Sequence, residues 1–292
     1  MFKIKICGIT SPEDALLAAE AGADAIGLNF YEQSPRYVTP ERGAEISQAL
    51  NHQFENRPDL IPTVIGVFVT DRNLPGTAVA TALGREQAVE QRSNELWQTA
   101  LTAGLRGFQL HGDEPPELIL DLNIANDRHG FSWFERWISP DPIFPIVRAF
   151  RCRETNLLEA SDYLRRCIEV SDEFKETAKK MAGSDVANFP VLPSAVLLDA
   201  YAPGAYGGTG QIVDWNVVRN ERDLLMGLPV ILAGGLTPEN VAEAIATAQP
   251  DAVDVASGVE SSPGKKDPDK VRRFVDEARR AFASLPARRT DN

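Results

Sequence analysis

Eight short apolar or β-branched runs recur along this chain, at Ile4 to Cys7, Ala25 to Phe30, Val64 to Val69, Gly107 to Leu110, Ile146 to Phe150, Ala195 to Asp199, Val230 to Ala233 and Ala252 to Ala256. Amphipathic stretches separate them, and strands that alternate with helices read as parallel βα units. Eight is also the number that closes a (β/α)8 TIM barrel, at a length slightly above the usual ~250 residues. An open doubly wound sheet is the alternative, but the first βα turn lacks the glycine fingerprint of a dinucleotide fold. The expected fold is therefore α/β, an eight-stranded parallel barrel.

Helix starts carry recognisable chemistry. Ser11-Pro12-Glu13-Asp14 supplies a capping hydroxyl, a proline at the first helical position and acids on the helix dipole. Thr39-Pro40-Glu41-Arg42 and Thr237-Pro238-Glu239-Asn240 repeat the device, and Gly22 stands at the expected end of the first helix. Four connections, 51–62, 71–96, 121–145 and 151–194, are longer than a compact barrel needs, and such insertions usually decorate the surface. Within the last of them, Arg151 to Arg166 and Val170 to Met181 read as two helical segments. The tail after Ser284 reads as frayed. Residues 1–292 are expected to form a single domain.

A formal charge of −12 argues against nucleic acid or an anionic membrane as the main partner. Cys7, Cys152 and Cys167 form no short metal-ligand spacing, and an odd number cannot complete a disulfide framework, as expected for a reducing cytosol. No stretch approaches the length of a membrane span, and the N-terminus is too polar for a signal peptide. The expectation is a cytoplasmic protein.

Two strand ends carry reactive side chains. The first run delivers Cys7 to its last position with Gly8 behind it, and the sixth ends on Asp199, so a thiol and a carboxyl form a candidate base and acid on one face. Glycine-rich turns follow the last three runs and include Gly208-Thr209-Gly210, Gly234-Gly235 and Ser257-Gly258. Glycine lets backbone N–H groups approach an oxyanion, and barrels often bind phosphate after strands seven and eight. Plain turn glycine is the other reading of any one loop. Arg36, just after the second run, either grips a carboxylate through a two-pronged hydrogen bond or is a surface arginine salt-bridged to a helix. His111 at the fourth strand end is equally compatible with a structural and a catalytic place. Both His111 and Arg148 are candidates for the substrate pocket.

Taken in order, these segments resemble the N-(5'-phosphoribosyl)anthranilate isomerase family. The resemblance runs from Lys5-Ile6-Cys7-Gly8-Ile9-Thr10 through Gly27-Leu28-Asn29-Phe30, Ser34-Pro35-Arg36-Tyr37-Val38 and Gly66-Val67-Phe68-Val69. It continues with Gln109-Leu110-His111-Gly112-Asp113-Glu114, Leu198-Asp199, Gly207-Gly208-Thr209-Gly210, Asp214-Trp215 and Leu232-Ala233-Gly234-Gly235-Leu236. It closes on Asp254-Val255-Ala256-Ser257-Gly258-Val259-Glu260-Ser261, interrupted only by the four insertions. The resemblance implies an Amadori rearrangement in tryptophan biosynthesis, with Asp199 as general acid, Cys7 as general base, Arg36 on the anthranilate carboxylate and the glycine turns on the phosphate. It implies a small phosphosugar–anthranilate substrate, no cofactor and no metal, and a monomer or homodimer. At ordinary pKa values neither group is ready, so Asp199 needs an environment that keeps its proton and Cys7 needs positive potential or a donor nearby. Competing readings are a ribonucleotide isomerase, which by resemblance would place an aspartate at the first strand end, an indole-glycerol-phosphate synthase, which would place a lysine there, and a non-catalytic phosphosugar-binding scaffold.

Overall fold

In a computed structural model that describes residues 2–70, 82–128, 144–152, 157–182, 192–200 and 214–286, eight parallel strands close on themselves. They are β1 (Ile4–Cys7), β2 (Ala25–Asn29), β3 (Thr63–Phe68), β4 (Gly107–Leu110), β5 (Ile146–Cys152), β6 (Ala195–Ala200), β7 (Val230–Leu232) and β8 (Ala252–Val255). Closure comes from β1, which pairs with β2 on one side and β8 on the other, so that Lys5 lies level with both Ala25 and Asp254. The eight runs read from the sequence coincide with these strands to within two residues at each end.

Eight α-helices are found among the described residues: α1 (Pro12–Ala21), α2 (Pro40–Gln53), α3 (Ala82–Ala103), α4 (Pro116–Arg128), α5 (Leu158–Ala182), α6 (Trp215–Asn220), α7 (Val241–Ala248) and α8 (Pro268–Ser284). The expected caps form at α1 and α2, where the Ser11 and Thr39 hydroxyls accept from the third residue on, Asp14 N and Arg42 N, each at 3.2 Å. Thr237-Pro238-Glu239-Asn240 behaves differently. Thr237 N donates to Asn240 Oδ1 at 2.8 Å and Glu239 N to Thr237 Oγ1 at 3.2 Å, which closes a turn, and α7 begins only at Val241. The two helical segments expected after residue 151 are also revised. Arg151 and Cys152 prolong β5, and one unbroken α5 follows, because Cys167-Ile168-Glu169 holds no breaker and Ala160, Leu164, Cys167 and Ser171 keep a single buried stripe.

Strand alternation sorts the side chains into two layers. Outward residues such as Ile6, Leu28, Phe108, Phe150, Leu198 and Val253 meet the helices in the main core, and Trp97 of α3 packs edge-on to Phe108 with ring centroids 5.0 Å apart. Inward residues Val147, Ala149, Ala195, Leu197, Ile231, Ala233 and Ala252 fill one side of the barrel. On the other side the filling is polar. Lys5 is fully buried, and its Nζ donates to Asp254 Oδ1 at 2.9 Å and Gln109 Oε1 at 3.0 Å. Burial alone would discharge this lysine, but the attraction of Asp254 and of the neighbouring Cys7 outweighs it and lifts the Lys5 pKa above its ordinary value.

An ion pair in this position is expensive to break and cheap to replace. Asp254→Ala leaves the Lys5 ammonium without its counter-charge and is expected to lower unfolding stability by about 3–5 kcal/mol in urea titration. The double change Lys5→Met with Asp254→Leu should recover most of that loss. A single-variant loss below about 1 kcal/mol would contradict this view of the barrel interior.

Candidate active site

The C-terminal ends of the strands open into one cleft whose lining includes Cys7, Arg36, His111, Asp199, Gly234, Gly235, Ser257 and Gly258. Most of the residues singled out in the sequence therefore converge. Cys7 and Asp199 lie on β1 and β6, with β7 and β8 between them on one side of the barrel. Room for the thiol comes from the strand beside it: a Cβ on Gly27, level with Cys7, would stand 2.6 Å from its Sγ and 3.0 Å from Lys5 Nζ.

Burial and then the Asp254 charge push the Cys7 thiol above its ordinary pKa, and Lys5 and Lys266 offset only part of that rise. The positive neighbours that a basic thiol requires are present, but each is already held by a carboxylate. Asp199 is buried. Its Oδ1 accepts from Ala200 N at 2.8 Å, and its Oδ2 lies 3.3 Å from His111 Nε2.

Arg36 is not the surface arginine salt-bridged to a helix. Its loop is set by Ser34, whose hydroxyl accepts from Arg36 N at 3.1 Å and from Asn29 Nδ2 at 3.2 Å. The guanidinium, only 12% exposed, then grips Glu260 with Nε at 2.7 Å and Nη2 at 2.8 Å. This is a salt bridge, but at the cleft and not on a surface helix, and both Nη1 protons stay out of that pairing. Glu260 opens a hairpin after β8, formed by β9 (Glu260–Ser262) and β10 (Lys265–Lys266), which the sequence reading did not foresee. The buried Lys266 donates to the same carboxylate at 2.9 Å. Burial works against ionisation of Glu260, but the hydrogen bonds and charges of Arg36 and Lys266 outweigh it and hold the carboxyl below its usual range.

The turns after β7 and β8 face the cleft together. Gly234 and Gly235 both take left-handed backbone, with φ of 82° and 62°, and a Cβ on Gly258 would run into the Leu236 carbonyl, so the two loops touch only because that position is bare. Their amides are the candidate anion donors. Ser257–Val259 forms a single 3-10 turn, so the donors here are turn amides and not the end of an α-helix. Gly208, Thr209 and Gly210 lie outside the described residues.

Arg148 is placed elsewhere. It falls on the outward parity of β5 with Ile146 and Phe150, and its guanidinium donates to the carbonyls of Leu110, Ala149 and Gly112 at 2.7–3.0 Å. It stacks over Phe150 and Tyr163 at 4.9 and 4.8 Å, and it is not among the residues lining the cleft. Counting alternation from Ile146 would have shown this.

Lys5, Gln109, Asp254, Glu260 and Lys266 were not singled out beforehand. For Lys5, Gln109 and Asp254 the available signal was a charged or amide side chain between two apolar neighbours, at the parity that points into the barrel; Glu260 and Lys266 carried no such signal.

A family model described as N-(5'phosphoribosyl)anthranilate (PRA) isomerase matches residues 155–277. An N-(5'-phosphoribosyl)anthranilate isomerase of Trichlorobacter lovleyi is 38% identical over 283 residues, covering 97% of this chain and 100% of its own. Among solved structures, a phosphoribosyl anthranilate isomerase from Thermus thermophilus superposes with a TM-score of 0.62 at 27% identity, covering 95% of this chain and 98% of that one. Another, solved in complex with reduced 1-(o-carboxyphenylamino)-1-deoxyribulose 5-phosphate, gives a TM-score of 0.57 at 29% identity over 96% of this chain and 99% of that one.

Proposed function

The chain belongs to the N-(5'-phosphoribosyl)anthranilate isomerase family, and from that premise we propose how its own residues divide the work. The activity is the isomerisation of N-(5'-phosphoribosyl)anthranilate to 1-(2-carboxyphenylamino)-1-deoxyribulose 5-phosphate in tryptophan biosynthesis. The observation that carries the assignment of roles is the meeting of Cys7, Asp199, Arg36 and the Gly234–Gly235 and Ser257–Gly258 turns in one cleft.

Asp199 protonates the furanose ring oxygen as the bond from that oxygen to C1' breaks, while the anilino nitrogen lone pair forms a C1'=N double bond. The Cys7 thiolate then takes the C2' proton. The electrons of that C–H bond become a C1'=C2' double bond and neutralise the nitrogen, and the resulting enolamine tautomerises to the C2' ketone with a C1' methylene. Electrons are only redistributed within the substrate. The protein supplies a positioned acid and base, worth about 10²–10⁴-fold. Arg36, steadied by Glu260, offers its remaining N–H groups to the anthranilate carboxylate, and the turn amides take the phosphate. Residues 1–292 serve as one barrel domain.

The synthase-type alternative needs a lysine at the cleft. Lys5 is instead sealed beneath Cys7 and paired to Asp254, and it does not line the opening. A ribonucleotide isomerase would require an aspartate where Cys7 stands.

The purified chain is expected to turn over phosphoribosylanthranilate, followed as loss of anthranilate-type fluorescence. Cys7→Ala and Asp199→Asn should each reduce kcat by ~10²-fold or more with folding unchanged. Near-wild-type turnover in either variant would remove that residue from its role. Because the free site holds the Cys7 thiol above its ordinary pKa, the base is deprotonated only at raised pH. The acid limb of kcat/KM should therefore keep climbing past about pH 8.5, the ordinary thiol value. A plateau already complete at pH 7 would contradict the base assignment.

A further inference from the structure

His111 joins the cleft to the buried polar layer. A lysine ammonium has donors only, so the Gln109 atom 3.0 Å from Lys5 Nζ must be the amide oxygen. That fixes the orientation of the amide and turns its NH2 toward His111 Nδ1, 2.9 Å away. Nδ1 must then accept, which leaves the ring proton on Nε2. Nε2 is buried and lies 3.3 Å from Asp199 Oδ2, close but not aligned as a hydrogen bond, and it has no other partner among the described residues.

We infer that Gln109, clamped by Lys5, holds His111 as the Nε2–H tautomer so that this N–H receives the negative charge left on Asp199 when it gives up its proton. The second half of the inference rests on the reading of Asp199 as the acid; the tautomer does not. Asp199 lines the cleft, and its Oδ1 is already bound to Ala200 N, so Oδ2 is the oxygen left to face His111. While Asp199 is protonated, the contact with Nε2–H is a loose one between neutral groups. Once the proton has moved to the ring oxygen, the same N–H faces a carboxylate, and the bond becomes charge-assisted and shorter. An interaction that strengthens only as charge develops lowers the barrier without tightening substrate binding. Gln109 and His111 are thus positioning residues. The opposite tautomer would aim a nitrogen lone pair at the new anion.

Two measurements test this. In the wild-type protein, ¹⁵N NMR at neutral pH should give His111 the Nε2–H pattern, with the signal assigned by its loss in His111→Gln. An Nδ1–H tautomer or an imidazolium would overturn the inference whatever any variant does. Gln109→Glu keeps the shape and the Lys5 contact but puts an acceptor against Nδ1. It should abolish the Nε2–H pattern and lower kcat by about 10²-fold, the scale for losing one donor to a developing anion, with KM changed less than about 3-fold. An altered tautomer with unchanged kcat, or a loss confined to KM, would overturn the positioning role. Full turnover by Asp199→Asn with the wild-type Nε2–H pattern intact would show instead that the acid assignment had failed, and the proposed use of the N–H with it.

Discussion

A lysine ammonium sealed inside a closed barrel requires its surroundings to be arranged around it. Moving an unpaired cation of this size out of water costs several kcal/mol even after relaxation. Lys5 is tolerated because Asp254 on β8 and Gln109 on β4 reach it across the interior at 2.9 and 3.0 Å. Those contacts bind the first strand to the last and to the middle of the sheet. They also fix the level at which apolar filling stops and the polar cleft begins, one inward position above Lys5, where Cys7 stands. The orientation of Gln109 and the tautomer of His111 both trace to this one charge.

A second cluster governs the rim. Glu260 is shared by Arg36 from the β2 loop and by Lys266 from the hairpin after β8. The hairpin is itself tied to the opening βα turn, with Thr10 Oγ1 donating to the Gly264 carbonyl at 2.6 Å and Lys266 N to Asp14 Oδ2 at 3.0 Å. Both clusters follow one pattern, in which cations near Cys7 are matched by Asp254 and Glu260. The site is held together tightly by this matching, and the Cys7 thiol keeps a pKa above its ordinary value. Rigidity and a pre-formed thiolate compete for the same charges, and here rigidity prevails.

The parts of this arrangement that were readable in sequence are those that depend on local chemistry. Short apolar or β-branched runs marked all eight strands, and Ser11-Pro12 and Thr39-Pro40 marked their helices, because a capping hydroxyl acts within three residues. Cys7 and Asp199 were legible as strand ends, and the turns at Gly234 and Ser257 as glycine-rich loops after the last strands. What depends on contacts across the barrel was not. Lys5 with Asp254, separated by 249 positions, and Arg36 with Glu260, separated by 224, are pairs that no local pattern specifies. Thr237-Pro238 carries the same letters as a helix cap, but Asn240 folds back on it and makes a turn. Arg148 shares the outward parity of Ile146 and Phe150, so its place away from the cleft follows from strand alternation.

The central claim is that one substrate lies between Cys7 and Asp199 with its charged ends held by Arg36 and the turn amides. A crystal structure of the chain with the reduced product analogue 1-(o-carboxyphenylamino)-1-deoxyribulose 5-phosphate tests it most directly. The account predicts the phosphate on the backbone N–H groups of Gly234–Gly235 and Ser257–Gly258, the carboxylate on Arg36, and the ribulose carbons between the Cys7 sulfur and the Asp199 carboxyl, each within about 3–3.5 Å of its proton-transfer partner. An analogue bound with its phosphate away from those turns, or with Cys7 and Asp199 on the same side of the sugar, would contradict it.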